Sequence, residues 1–188
     1  MARTADPEIK EALLDAALAY VVAHGVSALS LRPLARALDS SPRALLYHFG
    51  SKEDLVAHIL ARAGARQREI FTKLKAGDAG SRKACRAIWD VMSAPASEAA
   101  FRLFFEVYGL ALQDRKRFAA FLKRVVRDWL SFIAEPLQRQ GWSRTQAEAF
   151  ATVLIAGYRG FMLDLCATRD RRRVNAAVDL WLEQITDS

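Results

Sequence analysis

The chain has 188 residues, the size of one large domain or of two smaller ones that share a core. Apolar types make up 52% and charged types 26%, with only 5 Pro and 9 Gly, which excludes a disordered chain, a collagen-like repeat and a disulfide scaffold. Lys and Arg number 28 against 21 Asp and Glu, a net charge of +7 that favours polyanionic partners.

Apolar residues recur at three- and four-residue steps almost throughout, and no segment alternates for long, so the fold class is all-α with about nine helices. Ile9, Leu13, Ala16, Ala17 and Tyr20 make one stripe, and Gly25 ends that helix where a left-handed cap is needed. Ser30 reads as an N-cap for a short second helix carrying Leu31, Leu34, Ala35 and Leu38, with Pro33 in its first turn. Asp39-Ser40 is a polar break. Ser41-Pro42 restarts a helix by the strongest local signal in the chain, a hydroxyl cap followed by proline at the first helical position. Gly50 stops this third helix near His48, and Ser51 with Asp54 forms an S-x-x-D cap for the next.

A fourth helix is expected from Lys52 towards Lys75, its polar middle ARAGARQRE suiting a connecting rod, and Gly77-Asp78-Ala79-Gly80 closes it. Five more helices follow from about Ser81. Their marks are Ile88, Trp89 and Met92; Phe101, Phe104, Phe105, Tyr108 and Leu112; Phe118 to Ile133, with Pro136 ending or kinking that helix; Phe150 to Leu165; and Val174 to Ile185. No apolar run is expected to approach the ~18 residues of a membrane span. The opening MARTADPEIKE lacks the apolar stretch of a secretory signal, so a cytoplasmic protein without membrane contact is expected. Cys85 and Cys166, far apart and among apolar residues, read as buried small hydrophobes rather than a disulfide.

Two short helices joined by a tight turn and preceded by a longer one describe a helix-turn-helix, whose second helix presents its amino end to base edges while caps and N–H groups grip phosphates. From Ser30 to Lys52 four basic residues (Arg32, Arg36, Arg43, Lys52) face one acid, Asp39, a net of +3. Residues 1–29 hold two basic residues against four acids, a net of −2, so positive charge is concentrated where DNA would lie. Arg43 opens the third helix, where a guanidinium pairs with guanine or with a phosphate. Tyr47 and His48, a turn later, either donate to phosphate oxygens or simply pack. Arg32 sits in the second helix's amino turn, and Arg36 is either a contact or a solvated face. Lys52 opens the fourth helix, where charge and free N–H groups suit an anion.

Ser30-Leu31-Arg32-Pro33-Leu34-Ala35 followed by Ser41-Pro42-Arg43 and the run L-L-Y-H-F-G-S-K-E-D-L from Leu45 resembles the TetR family of transcriptional regulators, over roughly residues 9 to 60. The resemblance implies residues 1–52 as a helix-turn-helix DNA-binding domain and 53–188 as a helical effector-binding and dimerisation domain. It implies Ser30, Arg32, Arg36, Ser41, Pro42, Arg43, Tyr47, His48 and Lys52 at double-stranded DNA, and a homodimer whose last two helices build an intermolecular four-helix bundle. Two positions depart from the family pattern: Asp39 stands where glycine is usual in the turn, and Leu46 where tyrosine is common.

In the body, Gly157 and Gly160 interrupt an otherwise bulky helix, which fits close approach to a partner helix at a dimer seam or, alternatively, a close contact within the chain. Val174, Val178, Trp181 and Ile185 make a self-complementary stripe on the last helix; with Phe150, Leu154, Gly157 and Phe161 they are the candidate dimer interface. Trp89, Met92, Phe101, Phe104, Phe105, Tyr108, Trp129, Phe132 and Met162 are the candidate effector pocket, most of them also needed as plain core. Arg159 reads as a partner for an anionic effector or for a local acid such as Asp164 or Asp128. Arg171-Arg172-Arg173 reads as a solvated helix start.

His24, His48 and His58 show no metal spacing, and no nucleophile elbow, P-loop or dinucleotide fingerprint occurs, so neither an enzyme nor a metal or other cofactor is expected. The functional expectation is a repressor released from a palindromic operator by a small hydrophobic effector. The rival is a non-catalytic helical carrier of a hydrophobic ligand that binds no DNA, which leaves the basic head unexplained. The sequence names neither effector nor operator.

Overall fold

The computed structural model describes residues 7–25, 29–73 and 79–186. Among them the chain forms nine α-helices and no strand: α1 (Pro7–His24), α2 (Leu31–Ala37), α3 (Pro42–Phe49), α4 (Lys52–Lys73), α5 (Arg82–Met92), α6 (Glu98–Gln113), α7 (Ala119–Arg139), α8 (Arg144–Thr168) and α9 (Arg171–Thr186), with a 3-10 turn at Pro95–Ser97. Gly77, Asp78 and Lys75, expected near the end of α4, lie outside the described residues. The chain divides into two compact units, residues 1–67 with 103–124, and residues 68–102 with 125–188.

In the first unit most of the caps expected from sequence form, the Ser30 side chain being the exception. Gly25 takes φ +80° and its N–H bonds to the Val21 carbonyl at 2.8 Å, closing α1. The buried stripe of α1 is Leu14, Ala17, Leu18 and Val21, with Ile9 half-exposed at 51%. It is rotated from the Ile9–Leu13–Ala16 face because an Ala/Leu-rich helix offers two apolar stripes and only the packing partner selects one. Helix α2 packs on both α1 and α3, burying Leu34 and Ala35. Leu55, Val56 and Ile59 add the first turns of α4 to this core.

In the second unit α9 packs against α5 and α8. Trp89 is fully buried, and burying an indole requires a partner for its N–H, which it finds in Asn175 Oδ1 at 2.8 Å. The Tyr158 hydroxyl, buried for the same apolar gain, donates to the Cys85 carbonyl at 2.6 Å. Arg86 pairs with Asp179 and, at 3.0 Å, with Asp90. Helix α8 opens with a complete capping box, the Ser143 hydroxyl accepting from the Gln146 N–H and the Gln146 side chain accepting in return. Pro136 falls in the last turn of α7, which runs on to Arg139, so it neither ends the helix at once nor costs more than one late hydrogen bond. Cys85 is buried, Cys166 is half-buried, and both are free thiols.

Two expectations are corrected here. Helix α8 is long and apolar enough, by length and composition, to cross a membrane, against the expectation that no run approaches that length. The composition has a local reason: Ala147, Phe150, Ala151, Leu154, Tyr158, Met162 and Leu165 line its buried side in this unit. Second, Phe150, Leu154, Val174 and Val178, expected at a seam between two copies, are closed inside their own chain, with Val174 and Val178 at 0% exposure. Phe161, Trp181 and Ile185 remain partly open.

Gly157 is explained within the chain. A β-carbon there would lie 2.2 Å from Cζ2 of Trp181, so glycine makes the slot into which that indole fits. Trp181 is held from the other sides by Tyr158 and Phe161, at ring distances of 5.5 and 5.3 Å. Gly160, by contrast, faces open space. Gly157→Ala is therefore expected to lower the stability read by urea unfolding by about 1–3 kcal/mol through overpacking. Adding Trp181→Leu in the same chain should recover part of that loss, a coupling absent between Trp181→Leu and Gly160→Ala.

Candidate functional site

The site is built on four consecutive helix ends, the close of α2, both ends of α3 and the start of α4. After α2 the chain turns through Asp39, whose φ of 48° is left-handed, while the Ser40 N–H reaches back to the Ala35 carbonyl at 2.8 Å. Aspartate thus performs the turn that glycine performs elsewhere, at some steric cost. Ser41 follows in extended backbone, its hydroxyl accepting from the Ala44 N–H at 3.1 Å, and Pro42 occupies the first helical position. Gly50 ends α3 at φ +86°. Ser51 then caps α4: its hydroxyl accepts from the Asp54 N–H at 3.0 Å and donates to the Asp54 carboxylate at 2.7 Å. Ser30 stands at the N-cap position of α2, but its hydroxyl makes no cap bond there.

Helix α3 divides into an anchored and an outward face. Leu45 and Phe49 are buried, with Phe49 edge-on to His58 at 5.7 Å and covered by the Lys10 ammonium at 5.6 Å. Opposite them Arg43 is exposed at the amino end, Leu46 is 39% exposed and Tyr47 57%. His48 is half-buried against the Tyr47 ring, and its Nδ1 is enclosed with no hydrogen-bond partner among the described residues. Arg32 and Arg36 are exposed on α2, and Lys52 is half-exposed at the start of α4. None of Arg32, Arg36, Arg43 and Lys52 forms an ion pair among the described residues.

A charged clamp fixes α1 to α4 in this unit. Arg62 grips the Asp15 carboxylate with two hydrogen bonds, at 2.7 and 2.8 Å, and Glu11 at 2.9 Å, while Arg66 reaches Asp15 at 2.8 Å. The Arg62 hydrogen bonds hold the Asp15 carboxyl below the usual carboxylate range, despite the opposing effect of burial. Sequence reading treats ARAGARQRE as a connecting rod; two of its three arginines, Arg62 and Arg66, are the α4 ends of this clamp.

The candidate pocket residues fall into separate groups. In the second unit Trp89 stacks with Tyr158 and lies edge-on to Phe161, Met92 and Phe101 are buried, and Trp129 contacts Phe71 and Phe132 beneath the Arg68 guanidinium. In the first, Phe104, Phe105, Tyr108 and Phe121 form a chain of edge contacts. Arg159 is half-buried and donates to the Val125 carbonyl at 2.7 Å, while Asp164 is taken by Arg173 in a two-bond pair at 2.7 and 2.9 Å. Met162 lines a cavity of about 90 Å³ shared with Ser93, Glu98, Leu165, Arg169 and Arg171, small beside the ~300–1,000 Å³ of ordinary ligand sites. All three consecutive arginines are exposed at the start of α9, as expected, though Arg171 also donates to the Ser93 carbonyl.

Residues 13–59, which contain all four of these helix ends, match the family described as bacterial regulatory proteins, tetR family. That stretch is similar to the TetR family. A comparison of the whole sequence with the curated proteins finds no match. Solved structures match in fold along nearly the whole chain. A transcriptional regulator from Rhodococcus sp. Rha1 is 18% identical with a TM-score of 0.73, covering 94% of this chain and 95% of its own. The multidrug binding protein EbrR, complexed with ethidium, is 22% identical with a TM-score of 0.73, over 96% and 99%. A TetR transcriptional regulator from Legionella pneumophila is 18% identical with a TM-score of 0.63, over 98% and 97%. The nine helices therefore have the fold of TetR-type regulators.

Within the TetR segment the structure brings Ser41, Pro42, Arg43, Tyr47 and His48 together on α3, with Lys52 one turn beyond. Sequence reading missed two features elsewhere. One is the outer stripe of α8, of which sequence reading singled out Gly160 but not Val153, Ala156 and Leu163, legible only once the buried face is known. The other is the basic turn after α6, visible as charge density alone.

The clamp has a pH signature. A carboxyl held low when folded contributes stability above its unfolded value, and that contribution is lost as pH falls from about 4 through the lower folded value. Urea midpoints of the wild type should drop across that window. Asp15→Asn, already weaker at pH 7, should show a smaller drop.

Proposed function

We propose that the protein is a DNA-binding transcriptional regulator that answers to a ligand, and more narrowly a dimeric repressor released from a palindromic operator by a small hydrophobic effector. The observation that carries the reading is Arg43, exposed and without an acid partner among the described residues, at the amino end of a helix fixed from behind by Leu45 and Phe49. An arginine so placed suits the O6/N7 edge of guanine, while Tyr47, Lys52 and Arg32 suit phosphates. In this reading residues 1–52 are the DNA-binding domain and 53–188 the effector-binding and dimerisation domain.

For the dimer we assign the contact to the outward stripe of α8, with Leu180 of α9, rather than to the buried stripe. Leu163 and Leu180 are 54% and 62% exposed, and Ala156 and Gly160, exposed on α8 in the turns before Leu163, allow a helix from a second copy to approach closely. The ethidium complex of EbrR, a protein of the same fold, supports a flat hydrophobic molecule as the class of effector. Phe104, Phe105 and Tyr108 of the first unit and Trp129 and Phe132 of the second are all half-buried. Each is more available to such a molecule than Trp89, whose ring is closed and whose N–H is used.

Selection of bound fragments from a random DNA pool tests the reading and should return an inverted repeat. On the recovered site Arg43→Ala should lose about 1–3 kcal/mol of binding and relax one base position. Equal loss on unrelated DNA would make Arg43 a phosphate contact only. Failure to retain any sequence would favour the ligand-carrier reading.

The dimer is tested by Leu163→Asp and Leu180→Asp in sedimentation velocity. Each should convert a wild-type dimer at micromolar concentration to a folded monomer, since a buried unpaired carboxylate opposes association. Dimers in both variants would remove this face from the interface.

A further inference from the structure

We infer that the turn between α6 and α7 is a second phosphate-binding surface, which follows the DNA backbone outside the groove entered by α3. The inference rests on the DNA-binding reading above and adds to it a contact from outside the helix-turn-helix. Residues 113–124 contain Arg115, Lys116, Arg117, Lys123 and Arg124 against a single acid, Asp114, a net of +4 in twelve residues. The 23 residues from Ser30 to Lys52 carry only +3, so this turn holds more positive charge in fewer residues than the helix-turn-helix itself.

Local structure accounts for only part of that charge. Asp114 is used by the turn itself, its carboxylate accepting from the Arg117 N–H at 3.1 Å. Elsewhere a solvated helix face pairs its charges, as Arg144 does with Glu148 at 2.8 Å. Arg115, Lys116 and Lys123 are exposed and pair with no acid among the described residues. Like charges held side by side repel, and a polyanion relieves that repulsion.

The position of the turn decides which polyanion. The turn belongs to the same compact unit as α1, α2 and α3. Arg117 spends its guanidinium on the carboxylate of Glu53, the residue after Lys52 in the first turn of α4. That pair ties the turn to the cap region and neutralises the acid next to Lys52 in the chain. The basic turn thereby continues the line of phosphate donors that begins at the start of α4, which fits duplex DNA flanking the bound groove.

The test uses the full chain and two fluorescein-labelled mixed-sequence duplexes, of about 40 and about 16 base pairs, titrated by anisotropy over a range of NaCl concentrations. The triple variant Arg115→Gln, Lys116→Gln, Lys123→Gln should flatten the slope of log K against log salt on the long duplex by about 0.9 for each phosphate no longer neutralised. On the short duplex the change should be smaller. A control triple, Lys83→Gln, Arg139→Gln, Arg172→Gln, removes the same charge from exposed positions of the other unit and should leave both slopes unchanged. Thermal unfolding by circular dichroism establishes that both triples are folded. An unchanged slope in the first triple, or equal flattening in the two, overturns the inference while leaving the DNA-binding reading standing. A wild type that holds neither duplex overturns both.

Discussion

An isolated helix of eight residues does not persist in water, where ~12–15 are needed even for favourable sequences. Helix α3 is that short, so its direction is borrowed from what surrounds it. Leu45 and Phe49 anchor one side, Ser41 and Pro42 fix the first turn, and Gly50 stops the last. Behind them α1 is clamped to α4 by Arg62 and Arg66 on Asp15. Each element is weak alone. Together they leave the amino end of α3 little freedom, and whatever that end meets encounters a preorganised surface rather than one that must be ordered on contact.

The same reasoning explains what was legible in the sequence. Caps are local chemistry, a hydroxyl three residues from the N–H it accepts, so Ser41, Ser51 and Gly25 announce their helix ends without knowledge of anything distant. The tight turn at Asp39 was legible too, since a short polar side chain tolerates left-handed backbone. Number and order of helices followed from spacing alone. Which face of a helix is buried did not. In α1 the stripe headed by Leu14 and the one headed by Ile9 both repeat correctly, and in α9 the spacing of Val174 and Val178 suggests a seam between copies where the chain buries them itself. Only the neighbouring helix breaks the tie, and a neighbour is a property of tertiary structure.

Gly157 is instructive for the same reason. A glycine within a helix reports that something comes close but not what. Here the visitor is Trp181 of the same chain, while Gly160, three residues on, points to open space. The two glycines share a helix and a sequence context and have different work. The arginines divide in a similar way. Arg62 and Arg66 are structural, and Arg86 and Arg173 hold helices of the second unit together. Arg43, Arg115 and Lys116 have no acid to answer them among the described residues. Net charge alone does not sort these groups; partners do.

The two sulfurs differ in a way that has a practical consequence. Burial pushes the Cys85 thiol up to about 11, and its residue is closed to solvent. Cys166 is half-buried on α8. Maleimide chemistry, which needs both thiolate and access, should thus act slowly on Cys166 and leave Cys85 untouched in the native protein. The chain carries its own single attachment point for a dye or spin label, with no cysteine to add and none to remove.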